Sequence, residues 1–330
     1  MNARRIALAA ALAVGCLARP ASAQSPARRG PLDVREEWLL AQQRLTLPAL
    51  SPDPLARGTT DLRVAVDWGS DWGIRGPEGD LAYLVDGEHR TLSVELRRGV
   101  GERLTLGVRA PLHWRGAGVL DGVIDWWHRF SGLPDNDRFL YPTGRFRVEG
   151  KDVAGRPLAF TGAPGTGFGN LEVSGLWALH PDPGGAALSL VARADLPTGT
   201  GPYGSAGAHG ALQLVGAVPL ARGLDLYSGL GASLATQDER DGISYEKSRF
   251  HGFLALEWRA ARRLSLLAEA NGSSRLVTNV AGYKPFQLHL RIGAKLDLGP
   301  AARLEGGFVE GLSVQNTTDF GVQSAVRLVF

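Results

Sequence analysis

From Thr60 to the C-terminus the chain alternates apolar and polar residues with a period of two. Leu62, Val64, Val66 and Trp68 alternate with Arg63, Ala65 and Asp67, and Leu92, Val94 and Leu96 with Ser93, Glu95 and Arg97. Leu104, Leu106, Val108, Ala110, Leu112 and Trp114 continue the pattern against Arg103, Thr105, Gly107, Arg109 and His113. Such alternation gives each strand one apolar and one polar face. It predicts twelve strands, at about 60–72, 88–98, 103–114, 169–180, 187–198, 209–220, 223–235, 249–259, 263–274, 285–296, 302–312 and 320–330. Each is about 11 residues long, enough for a tilted strand to cross a hydrocarbon core.

The connections alternate in length. Short turns fall at Gly99–Glu102, Pro181–Gly185, Ala221–Gly223, Ala260–Arg262 and Leu298–Ala301, and longer loops at 73–87, 115–168, 199–208, 236–248, 275–284 and 313–319. The pattern predicts an all-β fold: a twelve-stranded antiparallel transmembrane β-barrel with short periplasmic turns and longer extracellular loops. Aromatic residues mark both ends of the apolar faces. Trp68, Trp114, Phe250, Phe286 and Phe320 form an outer girdle, and Trp177, Trp258 and Phe330 an inner one. Pro111, Pro197 and Pro219 fit a ladder badly because proline lacks the N–H donor, and Glu310 falls on the lipid-facing side.

The chain has 330 residues, 44% of them apolar, which excludes global disorder. Beyond the first 25 residues no apolar run approaches the length of about 20 that a membrane helix needs. The N-terminus carries Arg4 and Arg5, an apolar stretch over Ile6–Ala18 and the small residues Ala21–Ala23, a secretory signal peptide over 1–23 cleaved before Gln24. A lipoprotein site at Cys16 is the rival reading. Cleavage removes Arg4, Arg5 and Arg19, so 36 basic residues fall by three to 33, against 33 acidic ones. A neutral exported chain has no electrostatic footprint for nucleic acid.

Three regions carry the candidate chemistry. Residues 24–59 are an N-terminal arm or plug ahead of the barrel at 60–330, with Trp38, Leu39, Leu40, Leu45 and Leu47 suiting a short helix. The loop 115–168 holds Val119, Val123, Trp127 and Phe130 at helical spacing, a lid over the mouth or a helix on the rim. The lumen is lined by Arg63, Asp67, Glu95, Arg97, Arg109, Glu172, Arg193, Asp195, Glu257, Glu269, Arg291, Lys295 and Arg327. Both signs are mixed, so no ion selectivity follows. Turn arithmetic sets His251 opposite Asn271, Asn271 opposite His289 and Ser233 near His251, a polar layer at the outer mouth. No catalytic residue, cofactor or metal-ligand motif is assigned: G-x-S-x-G, H-E-x-x-H and the P-loop are missing.

Gly30–Val34, the Gly118–Gly122 stretch leading into Trp126-Trp127, and the segment from Leu133-Pro134 to Tyr141-Pro142 resemble a family of Gram-negative barrel proteins of unknown function, domain of unknown function 3187. The resemblance covers the mature chain. It implies the barrel architecture and supplies no activity. The final strand, ending at Phe330, resembles the C-terminal signal read by the barrel-assembly machinery. The expected setting is the cell outer membrane, with its lipid and lipopolysaccharide. The expected function is a narrow passage for small solutes, gated or plugged. The alternatives are a barrel-embedded lipid or lipopolysaccharide hydrolase and a structural or assembly barrel without transport.

Overall fold

The computed structural model describes residues 28–76, 80–132, 137–158, 164–182, 185–205, 207–240, 242–313 and 316–330; the expected signal peptide, its cleavage site and Cys16 lie outside the described residues. Among the described residues twelve long strands form the wall: β1 (Thr60–Arg75), β2 (Tyr83–Gly99), β3 (Leu104–Gly116), β4 (Leu171–His180), β5 (Ala187–Leu196), β6 (His209–Ala221), β7 (Leu224–Ala235), β8 (Ser248–Ala261), β9 (Leu264–Ser274), β10 (Phe286–Asp297), β11 (Ala302–Gly311) and β12 (Thr318–Val329). Each pairs antiparallel with its sequence neighbours, and β1 pairs with β12 from Asp61↔Val329 to Asp71↔Thr318. That last pairing closes the barrel and leaves no wall edge with unsatisfied backbone groups.

Alternation puts the apolar residues outside. Val66, Leu106, Leu212, Leu230, Leu254 and Val326 are exposed, while Arg63, Glu95, Arg193, Glu257 and Lys295 are buried in the lumen. A charged interior and an apolar exterior suit a barrel bathed in lipid. At one end the connections are short. Arg222 and Gly223 link β6 to β7, and Gly223 takes φ +77°, a left-handed conformation that suits a residue without a Cβ.

The prolines sit where the ladder is interrupted. β3 pairs with β4 only as far as Arg109↔Glu172, then with a separate short strand, Gly165–Phe168, from Leu112 onward, and Pro111 occupies the break. Pro197 lies just past the end of β5. Pro219 pairs with Asp225 beside a register shift in the β6–β7 ladder. β1 and β2 run longer than the alternation predicts and rise beyond the other strands, where Arg147–Lys151 adds to the upper part of β2.

Among the described residues the long loop carries one α-helix, α1 (Asp121–Ser131), stopped by Gly132 at φ +71° with its N–H bonded to His128 O. It lies outside the wall, on the rim. Leu120 and Ile124 pack on Phe320, with Trp68, Trp127 and Phe308 around them. Trp68, Val322 and Phe308 occupy one register row, in line with the exposed Val66 and Val326, so this is the lipid-facing side of β1, β12 and β11. Two expectations are corrected here. Of the apolar stripe Val119, Val123, Trp127 and Phe130, only Trp127 packs on the wall; Val119, Val123 and Phe130 face outward with Trp126. Phe320 is buried under α1 instead of standing in a girdle, and Trp68 is half-covered. Trp114, Trp177, Phe250, Trp258 and Phe286 are exposed at the strand ends, and Phe330 is half-buried.

Candidate functional site: the lumen and the segment that fills it

Residues 28–59 make no regular element except one 3-10 turn at Ala41–Gln43. Buried irregular backbone requires partners for its N–H and C=O groups. Inward side chains of the wall supply them. The segment enters beside the short turns, rises to the opposite end, turns at Ala41–Gln43 and descends again to β1.

The rising limb meets the charges. Glu257 accepts the N–H groups of Arg29 at 3.1 Å and Gly30 at 3.0 Å, and also the Tyr227 hydroxyl at 2.6 Å. Lys295 Nζ donates to Pro31 O at 2.6 Å and Arg29 O at 3.1 Å. Leu32 N–H donates to Glu269. Arg35 reaches Glu172 at 2.7 Å, which Arg193 also grips, and Arg291 donates to Arg35 O at 3.3 Å. Asp33 stands 3.6 Å from Arg35 and lines the same cavity as Arg97 and Arg193. Higher up, Glu36 pairs with Arg249 at 3.3 Å and Glu37 accepts from Thr91 at 2.6 Å.

The tip is apolar. Trp38, Leu39 and Leu40 form a cluster with Tyr83, Val85, Ile243, Tyr245, Leu276, Val277 and Val280 from the wall ends and loops. Leu39 N–H donates to Asp71 at 2.8 Å. The descending limb is apolar too. Leu45 and Leu47 pack on Ala211, and Ala49 and Leu50 on Val191, Val215, Tyr227 and Phe253. Gln213 donates to Pro48 O at 3.0 Å. Inward glycines make room for the segment: a Cβ built on Gly231 would stand 2.7 Å from Leu47 Cδ1, and one on Gly293 2.7 Å from Leu32 Cδ1.

What space remains is small. A cavity of about 230 Å³ lies at the short-turn end between the two limbs and the wall, lined by Asp33, Asp53, Glu95, Arg97, Arg193 and Arg327 among others. Beside the middle and upper parts of the segment the voids are about 20 and 40 Å³. Spaces of that size hold one to a few waters each.

The lumen-lining residues named from alternation all point inward, and most engage either the segment or each other. Arg63 and Arg327 each lie 3.1 Å from Glu305, and Lys295 3.5 Å from it. Arg97 and Arg327 share Asp61. Asp195 pairs with His209 at 3.1 Å, and Arg109 stands 3.9 Å from Glu37, while Asp67 lies with Glu37 and Arg291 around one of the small voids. In the mouth layer Ser233 Oγ and His251 Nε2 are 3.0 Å apart, and Asn271 faces His289 directly. His251, however, faces Ser273, and Asn271 faces Phe253. The difference has a local cause: β8 runs on to Ala261 and the turn is Arg262-Arg263, which displaces the pairing by three residues, and the register shift between Trp258 and Ala261 takes one back, a net displacement of two. All four residues are buried.

Alternation identified the wall charges and left out their partners in the segment, Asp33, Arg35, Glu36 and Glu37. No periodicity marks them; the one available signal was their density of charge before an apolar run. Alternation put Glu310 on the lipid-facing side without a partner and left out His128 and Asp319, which meet it only through the packing of α1 on the wall.

A family model described as "Protein of unknown function (DUF3187)" matches residues 6–330. No curated protein matches the chain. Among solved structures the chain is similar to the COG4313 outer membrane channel from Pseudomonas putida F1, with a TM-score of 0.59 and 13% identity over 86% of this chain and 100% of that one. It is also similar to the NanC porin (TM-score 0.46, 7% identity, 82% of this chain and 98% of that one) and the KdgM porin (0.42, 8%, 82% and 99%). At these identities the likeness is one of fold.

Proposed function

The chain belongs to the family of proteins of unknown function DUF3187, and from that premise we propose that it is an outer-membrane passage for small solutes, closed at rest by its own N-terminal segment. One observation carries the reading. Residues 28–50 occupy the lumen without adding a strand to the wall, held by side-chain contacts that can be broken while the ladder stays intact. A barrel that serves only as a scaffold has no use for a separate, removable filling. The short-turn end faces the periplasm and the long loops face outside, as in other outer-membrane barrels. The apolar exterior then meets lipid, and α1, with Trp126 and Phe130 outward, sits at the outer interface.

The test loosens the segment from its own side, leaving the wall chemistry untouched. Ala49 is fully buried against Val191, Val215, Tyr227 and Phe253. Ala49→Trp overpacks that site, which costs about 1–3 kcal/mol and raises the population of the undocked state about 5- to 150-fold. In planar bilayers the wild-type chain stays closed with rare openings, and Ala49→Trp opens more often with the same unitary conductance. Openings of neither protein under any voltage would end the passage reading in favour of a sealed barrel.

The Ser233–His251 contact favours a second reading, a barrel-embedded hydrolase, because a hydroxyl beside an imidazole is the arrangement of a nucleophile and its base. Both residues are buried in the lumen under the segment, away from lipid substrate. Ser233→Ala and His251→Ala therefore leave the hydrolysis of nitrophenyl esters and of phospholipid micelles at the wild-type background. Loss of a wild-type activity in both variants establishes the enzyme instead.

A further inference from the structure

Helix α1 covers a group of polar side chains on the outer surface of the barrel that the passage does not use. Glu310 projects from β11 toward lipid, and α1 is laid over it. Asp319 sits in β12 where the β1–β12 register shifts between Ser70 and Asp71. His128, on the wall-facing side of α1, is 5% exposed, and neither its Nδ1 nor its Nε2 has a hydrogen-bond partner. A buried imidazole without a partner forgoes about 1–3 kcal/mol, a cost that a ligand would remove.

The geometry points to a divalent metal site made by His128, Glu310 and Asp319, in which a transition-metal dication of the Zn²⁺ class staples α1 to the wall. The three donor atoms lie within 4.8 Å of one another, and all three residues are buried. His128 Nε2 stands 3.8 Å from Glu310 Oε1. Two donors at about 2.1 Å from one tetrahedral ion are about 3.4 Å apart, so this pair closes on an ion with a movement of a few tenths of an ångström. Glu310 Oε2 accepts from Trp127 Nε1 at 3.1 Å, which orients the carboxylate and leaves Oε1 toward the histidine.

Charge argues the same way. Arg138 holds Asp319 at 2.9 Å and also binds Asp121, while Glu310 has only His128 and Trp127 against it among the described residues. A dication bound between Glu310 and Asp319 would compensate two carboxylates that the helix screens from water. The imidazole donor selects against Ca²⁺ and Mg²⁺, which prefer all-oxygen shells. Three protein donors leave the fourth position for water.

The experiment uses the full chain, folded in detergent without an affinity tag, stripped with chelator and dialysed against ZnCl₂. Wild type retains one Zn²⁺ per chain, and hydrogen exchange over 121–131 slows when it binds. His128→Ala and Glu310→Gln each weaken binding at least about tenfold and abolish the zinc-dependent slowing, whereas His180→Ala, at the far end of the barrel, changes neither. Should Glu310→Gln fail to fold, His128→Ala, which removes no wall residue, decides alone. Absence of bound zinc in wild type, or stoichiometric zinc in His128→Ala, overturns the site.

Discussion

Deleting residues 28–50 turns a closed barrel into a steadily open one. The deletion removes both limbs and the tip, and leaves 51–59 to lead into β1. The lumen it exposes is lined by fixed charges of both signs, Arg35's former partner Glu172 and Arg193 among them, which water will solvate. A twelve-stranded wall is wider than the eight-stranded barrels that side chains alone can fill. Time-averaged conductance in planar bilayers therefore rises at least about tenfold over the wild-type baseline. It shows little preference for cations over anions, because no single-sign ring lines the wall. The wall itself survives, since its backbone hydrogen bonds close on themselves without help from the segment. Heat-modifiable mobility on gels, equal in both proteins, checks that point. An intact barrel that conducts no better than wild type would mean that the wall side chains fill the lumen unaided.

Trp38→Ala has the second-largest expected effect, through the tip alone. Trp38 is completely buried in the largest apolar cluster of the segment, against Tyr83, Tyr245, Leu276 and Val277. Truncating a buried tryptophan to alanine costs about 3–5 kcal/mol, most of it charged here to docking because the neighbouring residues belong to wall ends and loops that remain paired. That raises the undocked population at least about a hundredfold. Two measurements read it: opening frequency in bilayers, and hydrogen exchange of the backbone N–H groups of 29–47, which are protected only while docked. The charged contacts of the rising limb are untouched, so exchange near Leu39 accelerates before exchange near Gly30. Uniform acceleration along the whole segment would show that it leaves as one unit.

How much of this was legible beforehand follows from which residues obey a period. Leu62 to Trp68 and Leu104 to Trp114 alternate because each strand separates lipid from lumen, and only a two-sided environment maintains that pattern over so many turns. Twelve strands, their connections, the inward charges and the pairing of Asn271 with His289 are therefore local consequences of the sequence. The hairpin register of His251 differs by two because the turn lies at Arg262-Arg263, and the run Arg259-Ala260-Ala261-Arg262-Arg263 carries no Gly, Pro, Asn or Asp to mark which residues turn.

The segment at 28–59 obeys no period, since its partners lie on all sides and are mostly side chains from strands far along the chain: Glu257, Glu269 and Lys295 for its backbone, Arg249 and Glu172 for its charges. Whether it lay in the lumen or at the rim could not be decided until the barrel was closed, because closure alone creates the surface that binds it. The same holds for α1. Its helical spacing was visible, but the packed face is set by Phe308, Phe320 and Glu310 on the wall, and the wall chose Leu120, Ile124 and His128 over Val119, Val123 and Phe130. Alternation along one strand determined the barrel; contacts between distant strands decided where residues 28–59 lie and what the outer helix covers.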